Sequence, residues 1–115
     1  MADRSDISSG QQTLTFQEAL DLGVQHHNAG DLSKAERIYN QILEADPDQP
    51  AALHLLGVIA HQTGNHEKAV ELIKKALTLK PDYAEAYYNL GNVLRFLGRW
   101  DESVTSFKKA IQQKP

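Results

Sequence analysis

Glycine and proline recur along this chain of 115 residues at a fixed step of 34 residues. Apart from Gly10, the glycines form two series, which are Gly23/Gly57/Gly91 and Gly30/Gly64/Gly98. The prolines that share the step are Pro47, Pro81 and Pro115. Because independent substitution does not put several residue types on one period, the chain consists of three copies of one unit. We assign these copies to residues 16–49, 50–83 and 84–115.

Each unit has the pattern of two α-helices joined by a turn. Apolar residues recur at helical spacing, as at Tyr87, Leu90 and Leu94. No segment shows the alternation of apolar and polar residues that is typical of a β-strand. The predicted helix caps are Thr15 with Glu18, Asp31, Asn65, and Asp82 with Glu85. We therefore predict an all-α domain over residues 14–115. The preceding polar residues 1–13 are predicted to be a disordered tail.

The two glycine series predict two different roles. Gly30 and its equivalents follow the first helix of each unit, where a left-handed residue ends a helix. Gly23 and its equivalents lie inside that helix, where glycine costs about 1 kcal/mol relative to alanine. We predict that they let a bulky residue of the second helix approach the backbone, namely Tyr39, Ile73 and Phe107. Burying such a side chain contributes roughly 1.5–3 kcal/mol, which exceeds the propensity cost.

The composition excludes several classes of function. A formal net charge of -3 argues against a nucleic-acid partner and gives no attraction to an anionic membrane surface. The chain has no cysteine, which excludes disulfides, thiolate chemistry and cysteine-based zinc sites. The N-terminal residues have no apolar signal-peptide core, and no apolar run is long enough to span a bilayer. We predict a cytoplasmic protein that uses no cofactor.

The repeat pattern resembles the tetratricopeptide repeat, in which W-x2-L-G-x2-Y is followed by A-x3-F and then P. The third unit reads Tyr87-x2-Leu90-Gly91-x2-Leu94, Ser103-x3-Phe107 and Pro115. The resemblance covers residues 16–115 and implies a right-handed α-solenoid of three helix-turn-helix hairpins, whose first helices line a concave groove. It also implies a protein–protein interaction scaffold that binds a peptide or partner segment and is not an enzyme.

The second and third units are also similar to the N-terminal arrays of bacterial O-linked N-acetylglucosamine transferase-like proteins. The similar stretch includes PDYAEAYYNLGNVLRFLGRWDESVTSFKKAI. This resemblance implies an alternative function, the substrate-recognition arm of a larger glycosyltransferase whose catalytic domain is absent from this sequence. Such arrays carry an asparagine before each Leu-Gly pair; Asn89 matches this pattern, whereas Asp21 and Leu55 do not. A lysine–asparagine carboxylate clamp is excluded, because Leu20 and Val24 occupy positions that it needs.

Helical geometry predicts which side chains a partner would meet. On the side opposite the apolar residues such as Leu90 and Leu94, the first helices carry apolar, amide and imidazole groups. These groups suit a peptide, because its backbone needs hydrogen bonds and its side chains need pockets. The predicted partner-binding residues are His27, Asn28, His54, His61, Tyr88, Asn89, Asn92, Arg95 and Phe96. Tyr88, Arg95 and Phe96 are the predicted anchors. The competing interpretation is that these residues form an ordinary solvated helix face.

The histidines on this face admit two further hypotheses. His27, His54 and His61 could converge on a metal ion, or they could form a pH-sensitive site. Because no cysteine and no carboxylate other than Asp21 lies among them, we predict no metal site. His66, at a helix start, is predicted to be exposed.

The last helix carries more apolar surface than its own hairpin covers. Val104, Phe107 and Ile111 lie on one face, and a solenoid needs a polar cap at its end. Two explanations stay open: the natural protein continues past Pro115, or this face pairs with a second copy. Nothing resembles a nucleophile with its base and orienting group, so no catalytic residue is predicted.

Overall fold

The computed structural model describes residues 6–9 and 12–114 as an elongated array of helical hairpins, with principal dimensions of 47 × 26 × 21 Å. Within these residues two short strands precede six helices: β1 Asp6–Ser9, β2 Gln12–Thr15, α1 Phe16–Asn28, α2 Leu32–Ala45, α3 Pro50–Gln62, α4 His66–Leu79, α5 Ala84–Phe96 and α6 Trp100–Gln113. Each 34-residue unit supplies two helices, and the predicted all-α solenoid is confirmed. Pro115, the last residue of the third unit, lies outside the described residues.

The first helix of each hairpin is followed by a left-handed glycine, as predicted. Gly30, Gly64 and Gly98 have φ angles of 84°, 92° and 77°, in the left-handed region that favours glycine. Thr15 and Glu18 make both hydrogen bonds of the capping box, and Asp31 accepts a hydrogen bond from the backbone N–H of Lys34. These contacts satisfy N–H groups that the first turn of a helix leaves unpaired.

Two predicted caps are wrong. Asn65 stands at the N-cap position of α4, but its side chain makes no capping hydrogen bond. Helix α5 begins at Ala84 with Tyr83 as its N-cap, so Asp82 lies one residue too early to cap it. The starts of these helices depend on burial of their apolar faces, because no side chain satisfies their first N–H groups.

The glycines inside the first helices mark the closest approach of each hairpin. A Cβ atom built on Gly23 would lie 2.5 Å from Tyr39 Cε1, and one on Gly57 would lie 2.7 Å from Ile73 Cγ1. At Gly91 the distance to Phe107 Cε1 would be 2.6 Å. Carbon atoms do not approach this closely without repulsion, and the predicted packing role of these glycines is therefore confirmed.

Two apolar clusters join the hairpins to one another. The first contains buried residues of α1, α2 and α3, and the second contains buried residues of α3, α4 and α5. Arg99 at the start of α6 also forms an ion pair of 2.8 Å with Glu67 at the start of α4. The first helices are thus held side by side along the array, which fixes the surface that they share. Within the described part of the chain, no helix combines the length and apolarity that crossing a bilayer demands.

The N-terminal segment differs from the predicted disordered tail. Residues 6–9 pair with residues 12–15 as an antiparallel hairpin, in which Ile7 lies opposite Leu14. This hairpin packs on α1 and α2, and Leu14 is half-buried against the first apolar cluster. A lone two-stranded hairpin is marginal in water, so its order depends on a tertiary contact that the composition of the tail does not reveal. Residues 1–5 and 10–11 of the predicted tail lie outside the described residues.

Candidate functional site

One groove of about 680 Å³ lies along the first helices of the second and third repeats. We call it the central groove; its lining residues are Val58, His61, Gln62, Tyr88, Asn89, Asn92, Val93, Arg95, Phe96 and Trp100. Six of the nine predicted partner-binding residues are among them. The structure therefore brings together the predicted residues of α5 and one of α3, and it leaves the predicted residues of α1 outside.

Three exposed aromatic side chains line the central groove. Tyr88 is 56% exposed, Phe96 66% and Trp100 64%. The exposure of Tyr88 and Phe96 fits their predicted role as anchors, whereas Trp100 was missed. Trp100 is the first residue of α6, whereas all the predicted groove residues lie on the first helices of the repeats. The sequence feature that indicates its place in the groove is its position four residues after Phe96, just beyond the turn at Gly98.

The polar groups of the central groove are mainly amides with one cation. Arg95 is exposed, and its Nη2 donates to Asn92 Oδ1 at 3.4 Å, a long hydrogen bond. Asn89 and Asn92 are half-buried in the floor. Among the described lining residues there is no carboxylate. The groove therefore offers hydrogen-bonding groups and a positive charge beside the three exposed aromatic side chains.

Two histidines, His61 and His66, pack against Phe96, one of the exposed aromatic side chains of the groove. His61 Nδ1 lies 2.8 Å from His66 Nδ1, and one ring donates a hydrogen bond to the other. Both rings contact Phe96, with centroid distances of 5.5 and 4.3 Å. Burial, reinforced by the neighbouring His66, lowers the pKa of His61. The predicted exposure of His66 is wrong, because it is half-buried in this contact.

His54 is not presented to a partner as the sequence predicted. It is 2% exposed and lies between α3 and α5. Asn89 Nδ2 donates to His54 Nε2 at 2.7 Å, and Tyr83 OH lies 3.1 Å from His54 Nδ1. Burial lowers the pKa of His54 to about 4, although Glu85 acts in the opposite direction. The imidazole is therefore neutral at neutral pH, and it contacts the groove residue Asn89 without lining the central groove itself.

The remaining predicted residues, His27 and Asn28, lie near the end of α1 and do not line the central groove. His27 Nε2 donates to Gln62 Oε1 at 2.7 Å, and Asn28 is exposed. His27, His54 and His61 thus have separate partners and do not converge, which contradicts the hypothesis of a shared three-histidine site. Among the described residues, no group of three metal-ligating side chains of His, Asp or Glu comes together.

A second pocket, of about 480 Å³, opens at the C-terminal end of the array between α5 and α6. We call it the end pocket; it is lined by Ala84, Glu85, Tyr88, Asn89, Phe107, Ala110, Ile111 and Lys114. Ile111 is 64% exposed, and Val104 on the same helix is 50% exposed. The predicted apolar excess of the last helix is therefore present in the structure.

Two sequence profiles of tetratricopeptide repeat families match the chain, one over residues 20–84 and the other over residues 84–115. A search of the curated proteins found no matching sequence. Together the two profiles reach from α1 to the end of α6, and their junction falls at the first residue of α5.

Solved structures with the same architecture include a mutant of Thermobaculum terrenum O-GlcNAc transferase, at 34% identity and a TM-score of 0.84. That match covers 86% of this chain and 19% of the transferase chain. MamA matches at 26% identity with a TM-score of 0.78, over 86% of this chain and 58% of the MamA chain. The second repeat domain of Spaghetti (RPAP3), bound to an HSP90 peptide, matches at 20% identity with a TM-score of 0.78. That match covers 84% of this chain and 89% of the other. At this identity it shows the fold alone. The repeats therefore resemble the matched part of the transferase, and this chain spans only a fraction of the first two relatives.

Proposed function

The chain belongs to the tetratricopeptide repeat family, and on that premise we propose that it binds an extended peptide segment of a partner protein in the central groove. As a member of this family, the chain is a protein-interaction repeat domain. The observation that supports peptide binding in the central groove is that six side chains predicted from the sequence line this one groove. In this proposal residues 14–115 act as one binding module, not as an enzyme, and act in the cytoplasm.

The chemistry of the central groove defines the peptide that suits it. An aromatic or aliphatic side chain of the peptide would bury area against Tyr88, Phe96 and Trp100. A carboxylate next to it would pair with Arg95, the cation of the groove. The peptide backbone would meet the amides of Asn89 and Asn92. We therefore propose an extended segment that combines an apolar anchor with an acidic residue.

Selection from a random-peptide display library tests this function. We expect the recovered peptides to share an apolar–acidic motif. In ¹⁵N-HSQC titrations they should shift the backbone signals of α5 and of the start of α6. Peptides that perturb only α2 and α4, or a selection that enriches no sequence, would contradict the proposal. A peptide with the same composition in scrambled order provides the control for non-specific binding.

A second candidate is the substrate-recognition arm of a glycosyltransferase. It is favoured by Asn89, which precedes a Leu-Gly pair and lines the central groove, and by the 34% identity to the O-GlcNAc transferase chain. The coding sequence discriminates between the two candidates. Further asparagine-bearing repeats and an α/β catalytic domain downstream would support the transferase arm, whereas a stop codon soon after residue 115 would exclude it.

We also propose that the apolar face of α6 self-associates with a second copy, since Val104 and Ile111 are at least half exposed beside the end pocket. The double substitution Val104→Glu/Ile111→Glu should keep the protein monomeric, because it places charge where apolar area would be buried. The unmodified protein should show an apparent mass that rises with concentration in light scattering. Thr105→Glu/Gln112→Glu, on exposed positions of the same helix, is the matched control. A monomer at every concentration would contradict the proposal.

A further inference from the structure

The joint between the second and third repeats contains a partly buried polar contact where the first joint has apolar residues. His54 on α3 accepts a hydrogen bond from the side-chain amide of Asn89 on α5. One repeat earlier, these two positions are occupied by Leu20 and Leu55, which both pack against the first apolar cluster. Because burying polar groups costs desolvation energy that leucines do not incur, packing alone gives no reason for the histidine.

The hydrogen bonds of His54 determine which atom of Asn89 remains available. A neutral imidazole carries one proton, and an amide nitrogen can only donate. His54 Nε2 is therefore the acceptor for Asn89 Nδ2, and Nδ1 carries the proton and donates it to Tyr83 OH at 3.1 Å. Within the described residues, the side-chain oxygen of Asn89 has no hydrogen-bond partner. It is free to accept a hydrogen bond in the central groove, which Asn89 lines.

We propose that His54 is a positioning residue, which holds the N–H of Asn89 inward so that the Asn89 side-chain oxygen accepts a backbone N–H of the bound peptide. This inference rests on the proposed function, because it specifies one hydrogen bond that the groove offers. Without His54, the side-chain amide of Asn89 can turn either its oxygen or its N–H group towards the groove. The groove then no longer prefers a hydrogen-bond donor of the peptide at this point. The first joint, with leucines at both positions, offers no such group.

Two substitutions at position 54 separate positioning from packing. His54→Leu reproduces the residue of the first joint, whereas the side-chain oxygen of His54→Gln can still accept from Asn89. The probe is a peptide selected on the unmodified protein, with analogues that are N-methylated at single backbone nitrogens. At one position, N-methylation should weaken binding to the unmodified protein about 3- to 10-fold, the range for one hydrogen bond. This sensitivity should disappear in His54→Leu and return in His54→Gln.

A measurement without peptide checks the same contact. In ¹⁵N NMR spectra, His54 Nδ1 should carry the proton, and one side-chain N–H of Asn89 should exchange slowly in the unmodified protein but quickly in His54→Leu. If that variant does not fold, Asn89→Ala replaces it and should also abolish the sensitivity to N-methylation. Equal sensitivity in the unmodified protein and the substituted one overturns the role of His54 and leaves the proposed function intact. Failure to select any peptide overturns the proposed function, and this inference with it.

Discussion

Replacing Gly57 by leucine is expected to abolish cooperative folding or to lower the melting temperature by more than about 12 °C. A Cβ at this position would lie 2.7 Å from Ile73 Cγ1 and 3.3 Å from the carbonyl oxygen of Ala69. Ile73 and Ala69 are fully buried, so neither can move aside. Overpacking a buried site costs about 1–3 kcal/mol and occasionally more, and a leucine that faces a buried backbone oxygen lies at the upper end of this range. Each kcal/mol corresponds to roughly 4–8 °C in a domain of this size. Thermal unfolding followed by circular dichroism measures the change.

The smaller substitution Gly57→Ala shows whether the close approach is the cause. In the unmodified protein it should destabilise, even though alanine is the better helix former by about 1 kcal/mol. In the background of Ile73→Ala, which removes the colliding Cγ1, the same substitution should be neutral or stabilising. A similar loss in both backgrounds would show that the glycine serves some purpose other than admitting Ile73. The non-additivity of the two changes is the diagnostic quantity.

The position of Gly57 in the array increases this effect. A solenoid is held together by contacts between neighbouring hairpins, and the second hairpin contributes residues to both apolar clusters. The corresponding substitution Gly91→Leu should cost less, although its Cβ would lie 2.6 Å from Phe107. Phe107 is only half-buried at the end of the array, so its ring can give way to the new side chain.

The fold could be predicted from the sequence because its determinants repeat. A glycine that must admit Tyr39 or Ile73, and another that must adopt a positive φ, recur every 34 residues. Periodicity therefore reveals each of them three times. The features that sequence reasoning missed occur once. The N-terminal hairpin is ordered by a contact with α1 and α2, and Trp100 enters the central groove from the start of a second helix.

The face of a helix could be predicted from its sequence, but the burial of individual residues on that face could not. His54, His61 and Tyr88 were assigned to one surface by helical geometry, yet His54 is 2% exposed and Tyr88 is 56% exposed. The difference comes from the neighbouring repeat. Helix α5 covers His54, whereas within the described residues no further helix lies beyond Tyr88. The depth of a groove in a solenoid depends on how successive first helices are offset, and this offset is a property of the joints between repeats.

Replacing Tyr88, Arg95 and Phe96 together by alanine is expected to weaken binding of a selected peptide at least about 100-fold, with little change in stability. Aromatic and arginine side chains that fill a groove each contribute about 2 kcal/mol or more to an interface, although such effects are not additive. All three are exposed in the free protein, where a substitution usually changes the free energy of unfolding by less than about 0.5 kcal/mol. Isothermal titration calorimetry measures the affinity, and thermal unfolding measures the stability.

The matched control for this triple variant replaces Lys68, Glu71 and Lys75 by alanine. These residues are also exposed, but they lie on α4, away from the central groove. This control should retain both the affinity and the melting temperature of the unmodified protein. Affinity retained by the groove variant would contradict the assignment of the site. A loss of affinity in both variants would point to long-range electrostatics, because both remove charge from the surface. Only a loss confined to the groove variant agrees with a peptide seated against Tyr88 and Phe96 with its carboxylate on Arg95.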